Sequence, residues 1–152
     1  MIKNYKIYIG SDHAGFELKK ILINFLIKQE YFVTDLGSYI FDPNDDYPIY
    51  IRPVADVVSV TTNARGIIIG GSGQGEAMCA NRFKGVRATV YYGGTVDNVI
   101  ISRQHNDSNI LSLGARFIDN EQAQKAVSIW LETEFSGVEK HKRRIAELDN
   151  LI

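Results

Sequence analysis

The chain has little of what marks disulfide-rich, nucleic-acid-binding or membrane proteins. Its single cysteine, Cys79, allows no intrachain disulfide, which fits a reducing compartment. A formal net charge of −1 predicts neither a nucleic acid nor an anionic membrane surface as a partner. No apolar run approaches the length of a membrane span, and residues 1–10 lead into a predicted strand without the apolar region of a signal peptide. A cytoplasmic enzyme is therefore the expectation.

What is present is the composition of an ordinary globular protein. Of the 152 residues, 45% are hydrophobic and 23% are charged, and no repeat or linker interrupts them. This length suffices for one domain with a sizeable core. We expect residues 1–152 to form a single domain.

The most informative stretch is 66–81, GIIIGGSGQGEAMCAN. Residues 66–69 predict a buried strand, 70–75 a glycine loop and 76–81 the start of a helix. Glycines let a backbone approach a ligand closely, and N–H groups at such a junction converge on an anion. Ser72 adds a hydroxyl, and Glu76 adds a carboxylate. This carboxylate either takes part in the chemistry of the site or only complements the helix dipole.

Two nucleotide-binding motifs are excluded. The glycine loop does not spell GxGxxG and follows an internal strand, whereas a dinucleotide fingerprint opens the first βαβ unit. Residues 10–15 have GxxxxG spacing, but Phe16 and Glu17 follow where a phosphate loop needs Lys and Ser or Thr.

Strand and helix patterns alternate along the chain. Strands are predicted at 6–10, 31–36, 66–69, 86–91 and 110–113, and helices at 16–30, 49–61, 94–103, from 119 or 120 to about 135, and 138–148. Pro53 is expected in the first turn of the second helix. This order predicts an α/β fold with a parallel sheet of about five strands and helices on both faces. If strands one and three are neighbours at the topological switch point, residues 11–13 and the glycine loop face one crevice.

Three polar residues outside the glycine loop are candidates for that crevice. Asp12 and His13 follow the first strand. Either both residues take part in the site, or Asp12 only caps the next helix and His13 is only a solvated residue of its first turn. Tyr47 ends the long 37–48 loop and either donates a hydrogen bond or simply packs. Cys79 is expected to be a small packed residue.

A second set of candidates is distributed over the C-terminal half. Arg116 follows strand five at the carboxyl edge, whereas His105 and Asn106 are expected in a loop at the opposite edge. His105 suits proton transfer near neutral pH, and from that edge it most simply serves a neighbouring subunit. Lys140 and Arg144, on one face of the last helix, either bind a phosphate or are merely solvated. The three histidines have no metal-ligand spacing.

Six motifs, in order along the whole chain, resemble the ribose-5-phosphate isomerase type B family, which includes allose-6-phosphate and galactose-6-phosphate isomerases. They are Ser11-Asp12-His13-Ala14-Gly15 with Phe16-Glu17-Leu18-Lys19, Asp46-Tyr47-Pro48, Gly70 to Gly75, Ala80-Asn81-Arg82, His105-Asn106 and Leu113-Gly114-Ala115-Arg116.

The resemblance implies a Rossmann-like three-layer αβα fold and a homodimer, sometimes paired into tetramers, with sites formed by two subunits and a last helix that extends toward the partner. It also implies reversible conversion of ribose 5-phosphate to ribulose 5-phosphate, in the non-oxidative pentose phosphate pathway, through a cis-enediolate. The resemblance implies that this reaction needs no cofactor, and proton transfer on a phosphate-bearing substrate calls for no metal.

Two departures from the family pattern affect the expected site. Many members have a cysteine at the position of Gly70, whose thiol is the base, whereas this chain resembles the subgroup with a glutamate after the glycine loop. Glu76 therefore inherits the role of base, and Cys79 does not match the catalytic cysteine. Lys140 stands where the family commonly has arginine, so it lacks a bidentate fork for phosphate.

The resemblance and the residue patterns together give the expected site. The catalytic residues are Glu76, Ser72, His105 and Asp12, and the substrate-binding residues are His13, Tyr47, Gly71, Gly73, Gln74, Gly75, Asn106, Arg116, Lys140 and Arg144. Alternatives are an isomerase for six-carbon sugar phosphates and, from another class, a non-catalytic sugar-phosphate-binding module.

Overall fold

In the computed structural model, which describes residues 4–152, five parallel strands alternate with helices. The strands are β1 (Lys6–Ser11), β2 (Phe32–Asp35), β3 (Ala64–Gly70), β4 (Ala88–Tyr91) and β5 (Ile110–Gly114). The helices are α1 (Phe16–Lys28), α2 (Pro48–Val60), α3 (Gln74–Ala80), α4 (Asp97–Asn106), α5 (Asn120–Glu132) and α6 (Glu139–Asp149), and a 3-10 turn covers His13–Gly15. Residues 1–3 lie outside this description. They belong to the segment 1–10, in which no signal peptide was expected.

The sheet order β2-β1-β3-β5-β4 places the topological switch at β1. From β1 the chain goes first to β2 on one side and then, through α2, to β3 on the other. The condition that strands one and three are neighbours is therefore met. Ser11 pairs with Ile69, and Gly70 pairs with Gly114, so β1, β3 and β5 end side by side at the carboxyl edge.

Helices cover both faces of the sheet, which gives the expected three layers. On one face, α1, α4 and α5 bury a cluster that includes Leu22 and Trp130, both fully buried. On the other face, α2 and α3 pack through Val54 and Ala80 against Ile68. The isoleucines of 67–69 alternate between the two faces, as period-two side chains of a central strand must.

Two predicted helix features were wrong. Pro53 was expected in the first turn of its helix, but Pro48 takes that position and Pro53 lies in the helix interior. Pro53 deprives the carbonyl of Ile49 of a helical donor, and both residues are exposed, so water can substitute. The fourth helix begins later than predicted because Gly93 and Gly94 have positive φ angles of 118° and 80°, and it also ends later, at Asn106. His105 consequently lies in the last turn of α4 and not in a loop.

The last helix, α6, packs on its own chain at both ends. Near its start, the ring of His141 stacks on that of His105 with centroids 4.4 Å apart and planes 15° from parallel. Near its end, Asp149 pairs with Arg87 at 3.0 Å. Extension of α6 toward a second subunit stays a prediction. Between residues 4 and 152, no helix is both long and apolar enough to cross a bilayer.

Candidate active site

A crevice of about 470 Å³ opens at the carboxyl edge, where β1, β3 and β5 end. It brings together most of the residues predicted from the first strand, the glycine loop and strand five. Its lining consists of Asp12, His13, Ala14, Tyr47, Gly71, Ser72, Gly75, Glu76, Arg116 and Phe117.

The Glu76 carboxylate lies beneath the crevice against the backbone of Gly70. Only 4% of Glu76 is exposed. A Cβ built on Gly70 would overlap Glu76 Oε1 and lie 2.6 Å from Oε2. The carboxylate thus occupies the space that any side chain at position 70 would fill, and this strand end must be glycine for Glu76 to point inward.

The same carboxylate caps its own helix. The backbone N–H groups of Gly73, the N-cap of α3, and of Glu76 donate to it. These bonds favour the charged form, but burial outweighs them and raises the pKa of Glu76, with a further contribution from the charge of Asp12. Glu76 therefore lies both at the N-terminal end of α3 and in the lining of the crevice, and its catalytic role stays a prediction.

Asp12 supplies a second buried carboxyl. It caps the 3-10 turn by accepting a hydrogen bond from Ala14 N–H at 2.9 Å, and it is 7% exposed. Burial raises the pKa of Asp12 above its ordinary value, while the nearby His13 counteracts that rise. Two carboxyls whose pKa values are both raised by burial, in one crevice, are candidates for proton transfer.

His13 is held by an aspartate that the sequence interpretation did not single out. Asp45 Oδ1 accepts from His13 Nδ1 at 2.6 Å and from its backbone N–H at 3.2 Å. Asp12, His13 and Asp45 each place a possible metal-ligand atom within 4.8 Å of the others. Because the Asp45 oxygen already accepts two hydrogen bonds from His13, this cluster is explained without an ion.

The remaining lining residues form the walls. The Tyr47 hydroxyl packs against Gly75, where an added Cβ would lie 2.8 Å from it. Arg116 is placed by its backbone N–H, which donates to Gly71 O at 3.1 Å, and its guanidinium also packs along Gly71. Ser72 Oγ accepts from Gln74 N–H at 3.2 Å, so its own proton is free to be donated elsewhere.

Besides Gly70, two members of the glycine loop do not line the crevice. Gly73 is buried, and its carbonyl accepts from Ser112 Oγ at 2.7 Å. Its φ of 78° explains why glycine is needed at the start of α3. Gln74 is exposed as the first residue of α3. Cys79 packs beside the α2–α3 core, and burial raises the pKa of its thiol, which suits the expected packing role.

A second polar cluster lies at the opposite edge of the sheet. His105 and Asn106 end α4 just before β5 begins, and Lys140 and Arg144 are exposed on α6 beside them. His141, which the sequence interpretation did not select, joins them through its ring stack with His105. Desolvation, then His105 and the two cations, lowers the pKa of His141. One chain thus has two buried acids beside His13 and Arg116 at one edge, and His105 and His141 with two further cations at the other.

The comparison with protein families decides the assignment. The model of a family described as Ribose/Galactose Isomerase matches residues 7–148.

The chain belongs to this family.

Relatives in the family are similar over almost their whole length. The probable ribose-5-phosphate isomerase B of Mycoplasma pneumoniae is 38% identical over 148 residues, which are 97% of this chain and 95% of the relative. Ribose-5-phosphate isomerase B of Mycolicibacterium paratuberculosis is 34% identical over 92% of this chain and 87% of its own. The crystal structure of ribose-5-phosphate isomerase B from Mycoplasma genitalium with bound ribulose-5-phosphate superposes with a TM-score of 0.90 at 38% identity, covering 96% of this chain and 95% of that one.

Proposed function

We propose that this protein interconverts ribose 5-phosphate and ribulose 5-phosphate, with Glu76 as the base that moves the proton between C2 and C1. Family membership and relatives named ribose-5-phosphate isomerase B support the reaction. The observation that supports the base is the buried Glu76 carboxylate, seated in the space next to Gly70.

A carboxylate with a raised pKa suits this chemistry. The C2 proton is removed as the aldose becomes a cis-enediolate, and the same group returns it to C1. A general base works best when its pKa lies near the working pH, and burial moves Glu76 in that direction. Asp12, 7% exposed and in the same crevice, would help to exchange protons with the sugar oxygens during ring opening.

Negative charge on the enediolate needs donors close to the base. Ser72 is next to the glycine backbone in the crevice, and its hydroxyl proton is not used by its bond with Gln74 N–H. Loss of one donor of this kind typically reduces turnover roughly 100- to 1,000-fold. Tyr47 and Arg116, on the walls, would orient hydroxyls and bind the phosphate.

The experiment is an NMR assay in D₂O with ribose 5-phosphate and no added metal or cofactor. The protein should form ribulose 5-phosphate with deuterium incorporated from solvent, and Glu76→Gln should abolish both. Glu17→Gln is the matched control, because Glu17 is an exposed glutamate on α1, away from the crevice lining. Near-parental turnover by Glu76→Gln would exclude Glu76 as the base.

We further propose a homodimer in which each site combines residues from both edges of the sheet, one edge from each subunit. Measurement of the oligomeric state decides whether these dimers pair into tetramers. Within one chain, the C-terminal end of α4 and the crevice lie at opposite edges of the sheet. A second subunit would bring His105, for ring opening, and Asn106 to the crevice. The cations of Lys140 and Arg144 would then face the phosphate beside Arg116.

Mixing two inactive variants tests the shared site. Glu76→Gln and His105→Gln each remove one half of a composite site, so co-refolded mixtures should contain dimers with one intact site. Random association predicts that such a mixture regains roughly one quarter of parental turnover. No recovery, despite mixed dimers seen by native mass spectrometry, would contradict the composite site.

The proposal also covers substrate size, domain and location. The family description names galactose, a six-carbon sugar, as well as ribose. Turnover of ribose 5-phosphate should therefore be compared with turnover of a six-carbon substrate, allose 6-phosphate, and we expect a preference for ribose 5-phosphate. Residues 1–152 would act as one domain in the cytoplasm. A binding module would bind ribose 5-phosphate without exchanging its C2 proton, which the same assay detects.

A further inference from the structure

The loop 36–47, between β2 and α2, packs over the 3-10 turn that lines the crevice. Lys19, 1% exposed, anchors its start by donating to Asp35 Oδ1 and to Ser38 O, both at 2.6 Å. Further along, the ring of Phe41 meets the rings of His13 and Phe16 edge to face, with centroids 6.4 Å and 5.9 Å apart. Contacts at the start and near the middle of the loop thus hold it against α1 and the 3-10 turn.

Asp45 is the residue through which the loop reaches the site. Its side chain is 2% exposed, and one oxygen accepts from both the ring and the backbone of His13. Its other oxygen, Oδ2, is buried and has no hydrogen-bond partner among residues 4–152. Burying a carboxylate with an unpaired oxygen costs free energy, so stability alone is a poor explanation for aspartate at this position.

The hydrogen bond has a consequence for the imidazole. A carboxylate accepts only, so His13 Nδ1 must carry the proton that it donates to Asp45. Nε2 is then the ring nitrogen left for a ligand, and the ring cannot rotate without losing a bond of 2.6 Å. His13 lines the crevice, so this orientation determines what the substrate meets.

We propose that Asp45 is a positioning residue for the isomerase reaction: it locks the orientation and tautomer of His13 so that Nε2 is presented to the substrate. This inference rests on the proposed function for its kinetic part only. Asp45 itself does not line the crevice and would act through His13.

The direct test is long-range ¹H–¹⁵N NMR of the imidazole nitrogens in the full chain. It holds three histidines, and His13→Gln assigns the one in question. The neutral His13 ring should carry its proton on Nδ1 in the parent, and Asp45→Ala should lose this preference. Asp45→Asn should keep it, because the amide oxygen accepts the same two hydrogen bonds. Asp42→Asn is the matched control, since Asp42 is an exposed aspartate of the same loop whose capping bond to Asn44 N–H survives as an amide.

The functional readout separates binding from chemistry. Asp45→Ala should raise KM for ribose 5-phosphate by roughly tenfold and change kcat by less than about threefold, as expected when a substrate-binding contact is lost. Asp45→Asn should stay within about threefold of the parent in both constants. In a Glu76→Gln background, the dissociation constant of ribose 5-phosphate should rise with Asp45→Ala by the same factor as KM.

Several results would overturn the positioning role. One is a His13 nitrogen spectrum that Asp45→Ala does not change; another is an altered ring with unchanged KM and binding. Equal losses in Asp45→Asn and Asp45→Ala would also overturn it, since the amide preserves the geometry. If the parent protein does not turn over ribose 5-phosphate, the proposed function fails, and the spectra still decide whether Asp45 sets the His13 tautomer.

Discussion

A single methyl group at position 70 should inactivate the enzyme. In Gly70→Ala, the added Cβ would lie 2.6 Å from Glu76 Oε2 and nearer still to Oε1, whereas ordinary contacts begin at 3.4 Å. The carboxylate must therefore move by at least about 1 Å. Misplacement of a reacting group by that distance typically costs on the order of 100-fold in rate, which is about 2.7 kcal/mol in the activation barrier.

The assay for Gly70→Ala is kcat with ribose 5-phosphate, accompanied by a thermal melt. Because the carboxylate can swing aside and Gly70 does not have a positive φ, the fold should be retained. A double-mutant cycle on the residual rates shows whether the loss acts through Glu76: Gly70→Ala should not lower the residual rate of Glu76→Gln any further. Near-parental kcat in Gly70→Ala, or an additive loss in the double variant, would refute the reasoning.

Two further predictions concern the same pair of residues. In the double variant Gly70→Cys/Glu76→Ala, a thiol occupies the space of the carboxylate, and turnover should exceed that of Glu76→Ala alone. Iodoacetamide should abolish this recovered turnover. Recovered turnover that resists iodoacetamide would contradict a thiol base. Glu76→Gln should raise thermal stability near pH 7, by roughly 0.5–2 kcal/mol or about 2–6 °C, because the raised pKa means that the ionised carboxylate opposes folding above its folded-state pKa. This gain should shrink as the pH falls below the folded-state pKa and be lost below the ordinary 4.5, where the group is protonated in both states. A pH-independent difference between melts of the two proteins from pH 4 to 8 would contradict the reasoning.

The predictable part of this structure is the part determined by local patterns. Alternating strand and helix signals predict the five strands, and the glycine loop with Glu76 predicts the centre of the crevice. The end of the fourth helix was missed because Arg103 to Asn106 have no apolar period that distinguishes helix from loop.

Asp45 illustrates what local patterns cannot provide. It stands beside Asp46 in a loop with neither a helical nor a strand period, so nothing in the sequence indicates which aspartate is buried. The choice depends on packing between residues 32 positions apart, at the contact of Asp45 with His13. The overlap between a side chain at position 70 and Glu76 is likewise visible only in three dimensions, although both residues were singled out.

The sheet order also constrains how the protein is made. The fifth strand, β5, lies between β3 and β4 and is the neighbour through which β4 joins the sheet. A nascent chain that has left the ribosome only as far as residue 109 therefore has one side of β3 unpaired and β4 undocked, with open edges that can attract other chains. Arg116 and Phe117, which complete the lining of the crevice, emerge just after β5. The sheet and this wall of the crevice are therefore completed late in synthesis and at nearly the same time, so an unfinished chain has no finished crevice.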